Sequence, residues 1–465
     1  MNLKRVLVVL LTVMLFALPA AAQEQTPAND IDFSPLTDVI QAQLEAQRAP
    51  GLAVGVVFDG IVIYSEGFGV RNTETNDPVT PDTLFRIGST TKPLTTIGLL
   101  MLVEDGLVDL DAPVSSYVPE FTVSDDITVR HLLSHTSGMS DNAEPYGRLD
   151  PAALSDYVAS FDESALFGQP GAAFSYSNPG FDTVGRIIET VSGMNYADYM
   201  AEEVFPALGM ERTTLYPNLA MTYPFAAGYT PTMSGAFPVR PNVDNVAEYP
   251  AGFVFSSVND LALLAEFVLS DGAINQESIL TPESAQLMQT PVLGAGTIAY
   301  GLGLIISEYR GVTAVGHDGA INGYSSFFNT LPEYGLGVIV FANMDGFDAT
   351  PIFDAAVDLL LDLPEVEPPP VPELSAADLA EYVGTYVMGD IYGETVLTIE
   401  VAMQDDHLIA HPTGQPEIEM RPVGVDTFAL FYNGMDINTQ VIFQRDSAGE
   451  VAFMSAGFRS APRAE

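Results

Sequence analysis

The sequence predicts an α+β fold followed by a small all-β domain. Strand-like runs lie between Ala53 and Tyr64, helical patterns follow between about Asp125 and Thr230, and strand-like runs return between Leu302 and Ala342. This order of blocks is typical of an α+β fold rather than of repeated βαβ units. The proline-rich stretch Leu363 to Pro372 then precedes short alternating runs separated by turn residues, a pattern that predicts a small antiparallel sheet or barrel.

The first 22 residues have the pattern of a secretory signal. Lys4 and Arg5 precede the apolar run Val6 to Leu18, and Ala20-Ala21-Ala22 offers a cleavage site. The run is shorter than the roughly twenty residues of a spanning helix, and an uncleaved anchor is the alternative. We therefore expect a secreted or periplasmic protein without stable membrane insertion after signal removal. The remaining chain divides into a main domain (residues 23–362), a linker (363–374) and a β domain (375–465).

The strands of the main domain begin with a predicted hairpin. The apolar runs Ala53 to Phe58 and Ile61 to Tyr64 flank Asp59-Gly60, a strong signal for a tight turn. Three later runs have the composition of strands: Leu302 to Ser307, Ser325 to Leu331 and Gly335 to Ala342.

Two helices are predicted most clearly. The first runs from near Ser89 to about Asp105, and its body, Ile97 to Val103, is apolar on all sides. Such a helix is expected in the centre of the domain. The second ends near Leu269 and has Ser257 and Asn259 as candidates for its N-terminal cap.

The composition excludes several classes of function. The formal net charge is −45, which argues against nucleic acid as a partner because phosphate binding needs clustered Lys and Arg. The chain has no cysteine, so thiol chemistry is excluded. Lysine is almost absent, since Lys4 and Lys92 stand against fourteen arginines.

Ser89 and Lys92 form a candidate catalytic pair. In a helix that begins near Ser89, residues three apart share one face, and the helix N-terminus favours negative charge on the serine oxygen. Pro93 fits such a start because its missing N–H is not needed in the first turn. A buried lysine, unlike arginine, can lose its proton and act as a base, which predicts a serine nucleophile with a lysine helper. A capping serine followed by a surface lysine is the alternative.

Two further segments carry candidate residues. Tyr176-Ser177-Asn178 is expected in a loop, because Gln169-Pro170-Gly171 precedes it and Pro179-Gly180 follows it. Tyr176 is a candidate acid or base whose pKa a nearby cation would lower. Asn178 is a candidate partner for a substrate amide, and a packed tyrosine in a turn is the alternative. His317-Asp318-Gly319 is expected just before a strand, where Gly319 would let a ligand approach a backbone N–H that serves an oxyanion. An ordinary turn is the alternative there.

These segments together resemble the serine β-lactamase-like superfamily, in its branch of class C β-lactamases, D-alanyl-D-alanine carboxypeptidases, D-aminopeptidases and esterases. The resemblance covers about residues 35 to 360. It implies a β-lactamase/transpeptidase-like domain, with an antiparallel sheet flanked by helices and a helical subdomain. The segment after the linker looks like the lipocalin-like barrel of some members. The motifs are Leu84 to Lys92, Ile127 to Gly138, Phe174 to Asn178, Tyr300 to Gly303 and Gly316 to Gly319.

The resemblance also implies a role for each matching residue. Ser89 would be the acylated nucleophile, Lys92 would hold or accept its proton, and Tyr176 would share the acid/base work. Asn178 would orient the substrate amide, and the N–H groups of Ser89 and Ala320 would form the oxyanion hole. Whether Lys92 or Tyr176 is the base stays open, because the pair can titrate as one unit.

His317 departs from the class C β-lactamase pattern, which has lysine at this place. Histidine is largely neutral near pH 7, so a permanent cation for a substrate carboxylate is missing. We therefore predict a serine hydrolase that forms an acyl-enzyme with ester, amide or peptide substrates, including D-amino-acid ones. A β-lactamase or D-alanyl-D-alanine carboxypeptidase is the first alternative, and a non-catalytic binding protein on the same scaffold is the second. Sequence alone sets no oligomeric state.

No cofactor or metal is expected. His131 and His135, like His407 and His411, are four residues apart, but both pairs lack the glutamate of a His-Glu-x-x-His motif.

Overall fold

The structure is a computed structural model, which describes residues 31–363 except 234 and residues 370–464 except 391. The predicted signal over residues 1–22 and most of the proline-rich stretch, residues 364–369, lie outside the described residues. Within the described ranges, no helix combines the length and the apolar character needed to cross a bilayer.

A nine-stranded antiparallel sheet forms the centre of the main domain, in the order β10-β11-β12-β13-β14-β15-β1-β2-β3. Its strands are β1 (Gly51–Phe58), β2 (Ile61–Asn72), β3 (Asp77–Pro78), β10 (Leu293–Ala295), β11 (Ile298–Tyr300), β12 (Ile305–Tyr309), β13 (Val312–Ile321), β14 (Tyr324–Leu331) and β15 (Leu336–Ala342). Three short pairs lie outside it: β4 (Phe85–Arg86) with β7 (Phe255–Ser256), β5 (Tyr229–Thr232) with β6 (Gly235–Pro238), and β8 (Ala273–Ile274) with β9 (Glu277–Ser278).

Helices pack on both faces of this sheet. They are α1 (Ser34–Gln47), α2 (Thr91–Glu104), α3 (Val129–Leu133), α4 (Ala153–Ala159), α5 (Asn178–Ser192), α6 (Tyr196–Tyr199), α7 (Phe205–Ala207), α8 (Pro217–Ala220), α9 (Tyr249–Gly252), α10 (Val258–Leu269), α11 (Pro282–Gln289) and α12 (Thr350–Leu360). Strand β1 separates two cores, because side chains alternate between the faces of a strand. Leu52 and Val54 belong to the core with α1 and α12, whereas Ala53 and Val57 belong to the core with α2 and α10.

The predicted hairpin and helices are confirmed. Asp59 and Gly60 both have positive φ and join β1 to β2, as a tight hairpin turn requires. Helix α2 buries most of its residues, as its uniformly apolar sequence predicts. Ser257 caps α10 by accepting a hydrogen bond from the Asp260 backbone N–H.

Two local predictions are wrong. His317-Asp318-Gly319 lies inside β13 rather than before a strand, because pairing with β14 holds these residues extended despite the low strand propensity of Asp and Gly. Pro179 and Gly180 belong to the first turn of α5 rather than to a loop. Proline is tolerated there because N–H groups in the first turn have no partner within the helix.

The C-terminal segment forms an eight-stranded antiparallel barrel that is nearly closed. Its elements are α13 (Ala376–Ala380), β16 (Gly384–Gly389), β17 (Thr395–Gln404), β18 (His407–Pro412), β19 (Ile418–Gly424), β20 (Thr427–Tyr432), β21 (Met435–Arg445), β22 (Val451–Ala456) and β23 (Arg459–Pro462). A bridge between Tyr386 and Arg463 brings the last strand back to the first. Tyr386, Phe428 and Phe443 fill the interior with other apolar side chains, so the barrel has a packed core.

Candidate active site

Ser89 lies in a short 3₁₀ turn, Gly88–Thr90, directly before α2 begins at Thr91. Ser89 is partly accessible, whereas Gly88 and Thr90 are buried. Gly88 has a φ of +49°, and a Cβ at this position would lie 2.7 Å from the Ala320 nitrogen. A glycine is therefore needed for the turn to approach β13 so closely.

Lys92 lies in the first turn of α2 with none of its surface exposed. Its Nζ donates hydrogen bonds to Ser89 Oγ at 3.2 Å, to Asn178 Oδ1 at 2.8 Å and to the Ala251 carbonyl oxygen at 2.7 Å. The predicted pair is therefore in direct contact, and the lysine is not the surface lysine of the alternative interpretation.

Burial controls the ionisation of Lys92. Loss of solvent lowers the pKa of the lysine from 10.5 to about 7, and the nearby carboxyl groups of Asp182, Asp141 and Glu248 oppose this only in part. A large fraction of Lys92 is therefore a neutral amine near pH 7, the form that accepts a proton.

Tyr176 lies beside both residues. Its ring centroid is 4.7 Å from Lys92 Nζ, and its hydroxyl interacts with the Ser89 side chain. Burial raises the pKa of Tyr176, and the hydrogen bond with Ser89 offsets this only in part. The prediction that a nearby cation lowers the tyrosine pKa is therefore wrong, because the loss of solvent outweighs the charge. The phenol keeps its proton and is suited to donate it.

The segment that carries Tyr176 is held by His135 and by the start of α5. The Ser177 N–H donates to His135 Nδ1 at 3.1 Å, and the Ser175 N–H donates to the His135 carbonyl at 2.8 Å. The ring centroids of His135 and Tyr176 are 4.1 Å apart. Ser177 caps α5 by accepting from the Gly180 N–H, which places Asn178 at the first helical position with its amide oxygen on Lys92.

His317 is buried and makes a hydrogen bond through each ring nitrogen. Nδ1 lies 2.6 Å from the Asp318 carbonyl oxygen, and a carbonyl only accepts, so Nδ1 carries the proton. Nε2 therefore accepts from the Tyr300 hydroxyl, 2.9 Å away. Burial, reinforced by Lys92, lowers the pKa of His317 to about 3. His317 is therefore neutral at physiological pH.

Ala320 offers a backbone N–H at an open part of the sheet. Strand β12 pairs with β13 only from Val312 to Gly316. Ile321 and Tyr324 flank a two-residue turn and pair with each other. Because hydrogen-bonded and non-hydrogen-bonded pairs alternate from such a turn, the Ala320 N–H points away from β14. This N–H and that of Ser89 are therefore candidate donors to one oxyanion.

Gly319 serves the packing of the protein backbone. A Cβ there would lie 2.0 Å from the Ile87 carbonyl oxygen and 2.4 Å from Ser326 Oγ. Close packing is thus one reason for a glycine here, and the expectation that it also makes room for a ligand stays a prediction. The glycine lets the turn that carries Ser89 pack against β13.

Sequence reasoning missed several residues of this site. Tyr300 belongs to the motif Tyr300 to Gly303, but its hydrogen bond to His317 is not visible in that motif. Asp182 lies one helical turn after Asn178 and is completely buried, and burial together with Glu248 raises its pKa well above the usual range. Burial also raises the pKa of Glu248 to about 7. The sequence signal for Asp182 was an acidic residue on the buried face of α5.

The four histidines considered as metal ligands have other surroundings. His131 Nδ1 accepts from the Thr128 N–H in a capping arrangement, and His135 accepts from Ser177. His407 and His411 both lie in β18, where residues four apart are about 13 Å from each other along the strand.

Comparisons with known proteins show similarity to one family and to several of its relatives. A family model described as Beta-lactamase matches residues 36–362. Penicillin-binding protein 4 of Amycolatopsis lactamdurans is 31% identical over 363 residues, which cover 73% of this chain and 93% of the relative. Protein flp of Staphylococcus aureus is 26% identical over 66% of this chain and 62% of its own length, so the chain spans less than two thirds of that relative. The crystal structure of SurE with D-Leu superposes with a TM-score of 0.73 at 26% identity, over 93% of this chain and 100% of that one.

Proposed function

Because the chain belongs to the beta-lactamase family of serine hydrolases, we propose that it is a secreted hydrolase that forms an acyl-enzyme on Ser89. Its substrates are esters, amides or peptides, including those of D-amino acids. The observation that carries this proposal is the 3.2 Å contact between Lys92 Nζ and Ser89 Oγ. A nucleophile in hydrogen-bond contact with a buried base is the arrangement that acyl transfer requires.

Acylation begins when Lys92 takes the proton of Ser89. The serine oxygen attacks the substrate carbonyl carbon, a C–O bond forms, and the carbonyl π electrons move to the oxygen. The N–H groups of Ser89 and Ala320 stabilise that oxyanion. Lys92 rather than Tyr176 is the base in this proposal, because its pKa is about 7 while that of Tyr176 is raised.

Tyr176 completes the step as the proton donor. When the tetrahedral intermediate collapses, the bond to the leaving group breaks and the phenol protonates the departing nitrogen or oxygen. The proton that Lys92 holds then returns to the phenolate. In deacylation, water attacks the ester carbon, its proton passes to the same pair, and Ser89 regains a proton as it leaves. Asn178 orients the substrate amide while its side-chain oxygen stays on Lys92.

The neutral state of His317 supports substrates without an essential carboxylate contact. Its two nitrogens are engaged by Asp318 and Tyr300, and its pKa of about 3 leaves it without charge. A β-lactamase or carboxypeptidase that depends on a cation at this position is therefore the second candidate. The name of the relative from Amycolatopsis lactamdurans, a penicillin-binding protein, keeps this second candidate worth testing. A D-amino-acid substrate is favoured by the likeness to SurE, whose structure contains D-Leu.

A fluorophosphonate probe tests whether the site is catalytic. We expect a covalent adduct on Ser89, found by mass spectrometry of the labelled peptide. The Ser89→Ala variant, which lacks only the attacking oxygen, is the control and should not be labelled. An unlabelled wild-type protein would favour the non-catalytic alternative.

A substrate panel then ranks the two candidates. Nitrophenyl esters and D-amino-acid amides should be hydrolysed faster, by kcat/KM, than a chromogenic cephalosporin. The reverse order would support the second candidate.

A further inference from the structure

The C-terminal barrel reaches the candidate active site through one hairpin. Strands β22 and β23 are joined by Gly457-Phe458, and this turn lies against the segment Phe174–Asn178. The Phe458 carbonyl accepts a hydrogen bond from the Tyr176 N–H at 2.7 Å. The ring of Phe458 lies 6.0 Å from that of Tyr176 and 6.3 Å from that of Phe174.

The barrel also binds the residues before Tyr176. Gln444 of β21 accepts from the Phe174 N–H at 2.9 Å and donates to the Phe174 carbonyl at 2.9 Å. The Ser460 N–H donates to Ser175 Oγ at 3.1 Å, and Ser460 Oγ donates to the Phe174 carbonyl at 2.7 Å. Gln444 and Ser460 are both buried, so these bonds are shielded from competing water.

A second connection runs from the barrel to Lys92. Arg459 donates through Nε to Asp141 Oδ2 at 2.6 Å, and its guanidinium also pairs with the same carboxylate. Asp141 Oδ1 accepts from the Asn178 N–H at 2.7 Å. Asn178 in turn accepts from Lys92 Nζ at 2.8 Å. Four residues therefore connect the barrel surface to the base.

The segment that carries Tyr176 depends on contacts with the barrel because it has no regular secondary structure in the main domain. Residues 167–177 form neither helix nor strand. On the main-domain side, His135 provides two contacts to Ser175 and Ser177. A chain without regular pairing loses conformational freedom when it is ordered, at about 1–2 kcal/mol per residue. The barrel contacts offset this cost at Phe174, Ser175 and Tyr176, the last of which carries the proposed acid.

We propose that the barrel is a built-in positioning element of the active site, in which the β22–β23 hairpin and Gln444 hold Tyr176 and Asn178 in their catalytic orientation. Arg459 and Gln444 are positioning residues, since they act through Asp141 and Phe174. This inference rests on the proposed function, because it assigns the hairpin a part in that reaction.

Substitution of Arg459 tests the connection to Lys92. Arg459→Gln should lower kcat for a D-amino-acid amide by roughly tenfold with little change in KM, the size expected for one charge-assisted bond. Arg459→Lys should recover most of the rate. Arg421→Gln is the matched control, because Arg421 pairs with Glu419 on the same barrel and is 47% exposed, close to the 49% of Arg459. The control should leave kcat and KM unchanged.

The pH profile separates positioning from general loss of structure. The charged groups around Lys92 are Asp182, Asp141, Glu248 and Arg459, of which only Arg459 lowers its pKa. The titratable side chains of Tyr176, His135 and His317 also face the lysine. The acid limb of kcat/KM should therefore move to higher pH in Arg459→Gln and stay in place in Arg459→Lys.

Hydrogen exchange tests, without any substrate, whether Gln444 and the β22–β23 hairpin hold the segment that carries Tyr176. In Gln444→Met the peptide that spans Phe174 to Asn178 should exchange its amides at least tenfold faster than in wild type, while peptides of α2 stay protected. If wild type shows no fluorophosphonate adduct, the proposed function fails. The amide exchange of the peptide from Phe174 to Asn178 still measures whether the barrel holds that segment. If Arg459→Gln matches Arg421→Gln in kcat and pH profile, and Gln444→Met exchanges like wild type, the positioning role is refuted.

Discussion

Lys92 Nζ lies 3.2 Å from Ser89 Oγ while the whole lysine side chain is buried. A surface lysine at this distance would be an ammonium ion, which cannot accept a proton. Burial changes this, because it lowers the pKa of Lys92 to about 7. The chemistry of the pair therefore depends on the packing around the lysine as well as on the distance.

Lys92→Arg should abolish most acylation. Arginine keeps the charge but stays protonated in proteins, so the base is lost, and we expect a fall of at least about 100-fold in the rate of fluorophosphonate labelling. Circular dichroism should show the fold retained. Labelling at a near-normal rate would overturn the assignment of Lys92.

The pKa of Lys92 should be about 7 when it is measured directly. Lys4 lies in the predicted signal, so a chain that begins after residue 22 contains one lysine and gives a single resonance with isotope-labelled lysine in NMR. Because the neutral amine is the active form, kcat/KM should rise with pH on an acid limb at the same pKa. A lysine that titrates near 10.5, its ordinary value, would contradict the proposed base.

Tyr176→Phe should discriminate between leaving groups. In the proposed mechanism the phenol protonates the departing group, which an amine requires and a nitrophenolate does not. We therefore expect kcat/KM to fall by about 100-fold or more for a D-amino-acid amide and by much less for a nitrophenyl ester. Equal losses on both substrates would show that Tyr176 acts elsewhere in the reaction.

Glu248→Gln should stabilise the protein in a pH-dependent way. Burial raises the pKa of Glu248 from 4.5 to about 7, so between these values the unfolded chain ionises first and wild-type stability falls as pH rises. Glutamine removes this penalty. We expect a gain in the free energy of unfolding of about 2 kcal/mol near pH 8 that disappears near pH 4. Denaturant titrations at both pH values measure it.

Glu277→Gln is the control for that comparison, because Glu277 is exposed on β9. Its substitution should change stability little at either pH, as is usual for exposed charges. If both variants gained the same free energy of unfolding, the cause would be the net charge of the protein rather than the burial of Glu248.

Gly319→Ala should disrupt the contact between β13 and the turn that carries Ser89. Its Cβ would lie 2.0 Å from the Ile87 carbonyl oxygen, so the backbone must move, and we expect a loss of about 3 kcal/mol in the free energy of unfolding. Gly424→Ala on the barrel is the control, because its Cβ would meet its nearest atom at 3.5 Å. Thermal unfolding measures the stability of both variants. Equal stability would argue against the role of Gly319 in packing β13 on the turn that carries Ser89.

Features with a local cause were predictable from the sequence. The turn at Asp59-Gly60, the buried helix α2 and the Ser257 cap each follow from a few neighbouring residues, and the structure confirms them. The family resemblance and its α+β fold with a C-terminal barrel are confirmed as well. Ser89 and Lys92 meet because residues three apart share a helix face.

Features that depend on distant residues were predicted less well. Strand β13 extends through His317-Asp318-Gly319 because β14 pairs with it, which overrides the low strand propensity of these residues. The pKa of Tyr176 rises because the tyrosine is buried. The residues next to it in sequence do not predict that burial. The bond from Tyr300 to His317 joins residues from two strands.

The sequence by itself determined the candidate reacting groups, because the serine, the lysine and the tyrosine stand in short motifs whose spacing sets their local geometry. Only the tertiary structure decided that the pKa of Lys92 is lowered and that of Tyr176 is raised, since pKa values depend on burial and on charges brought in from several elements. It also decided that the barrel binds Tyr176 through Phe458, a residue of a distant part of the chain. Contacts at such separation arise from the packing of whole domains, and no local pattern of residues records them.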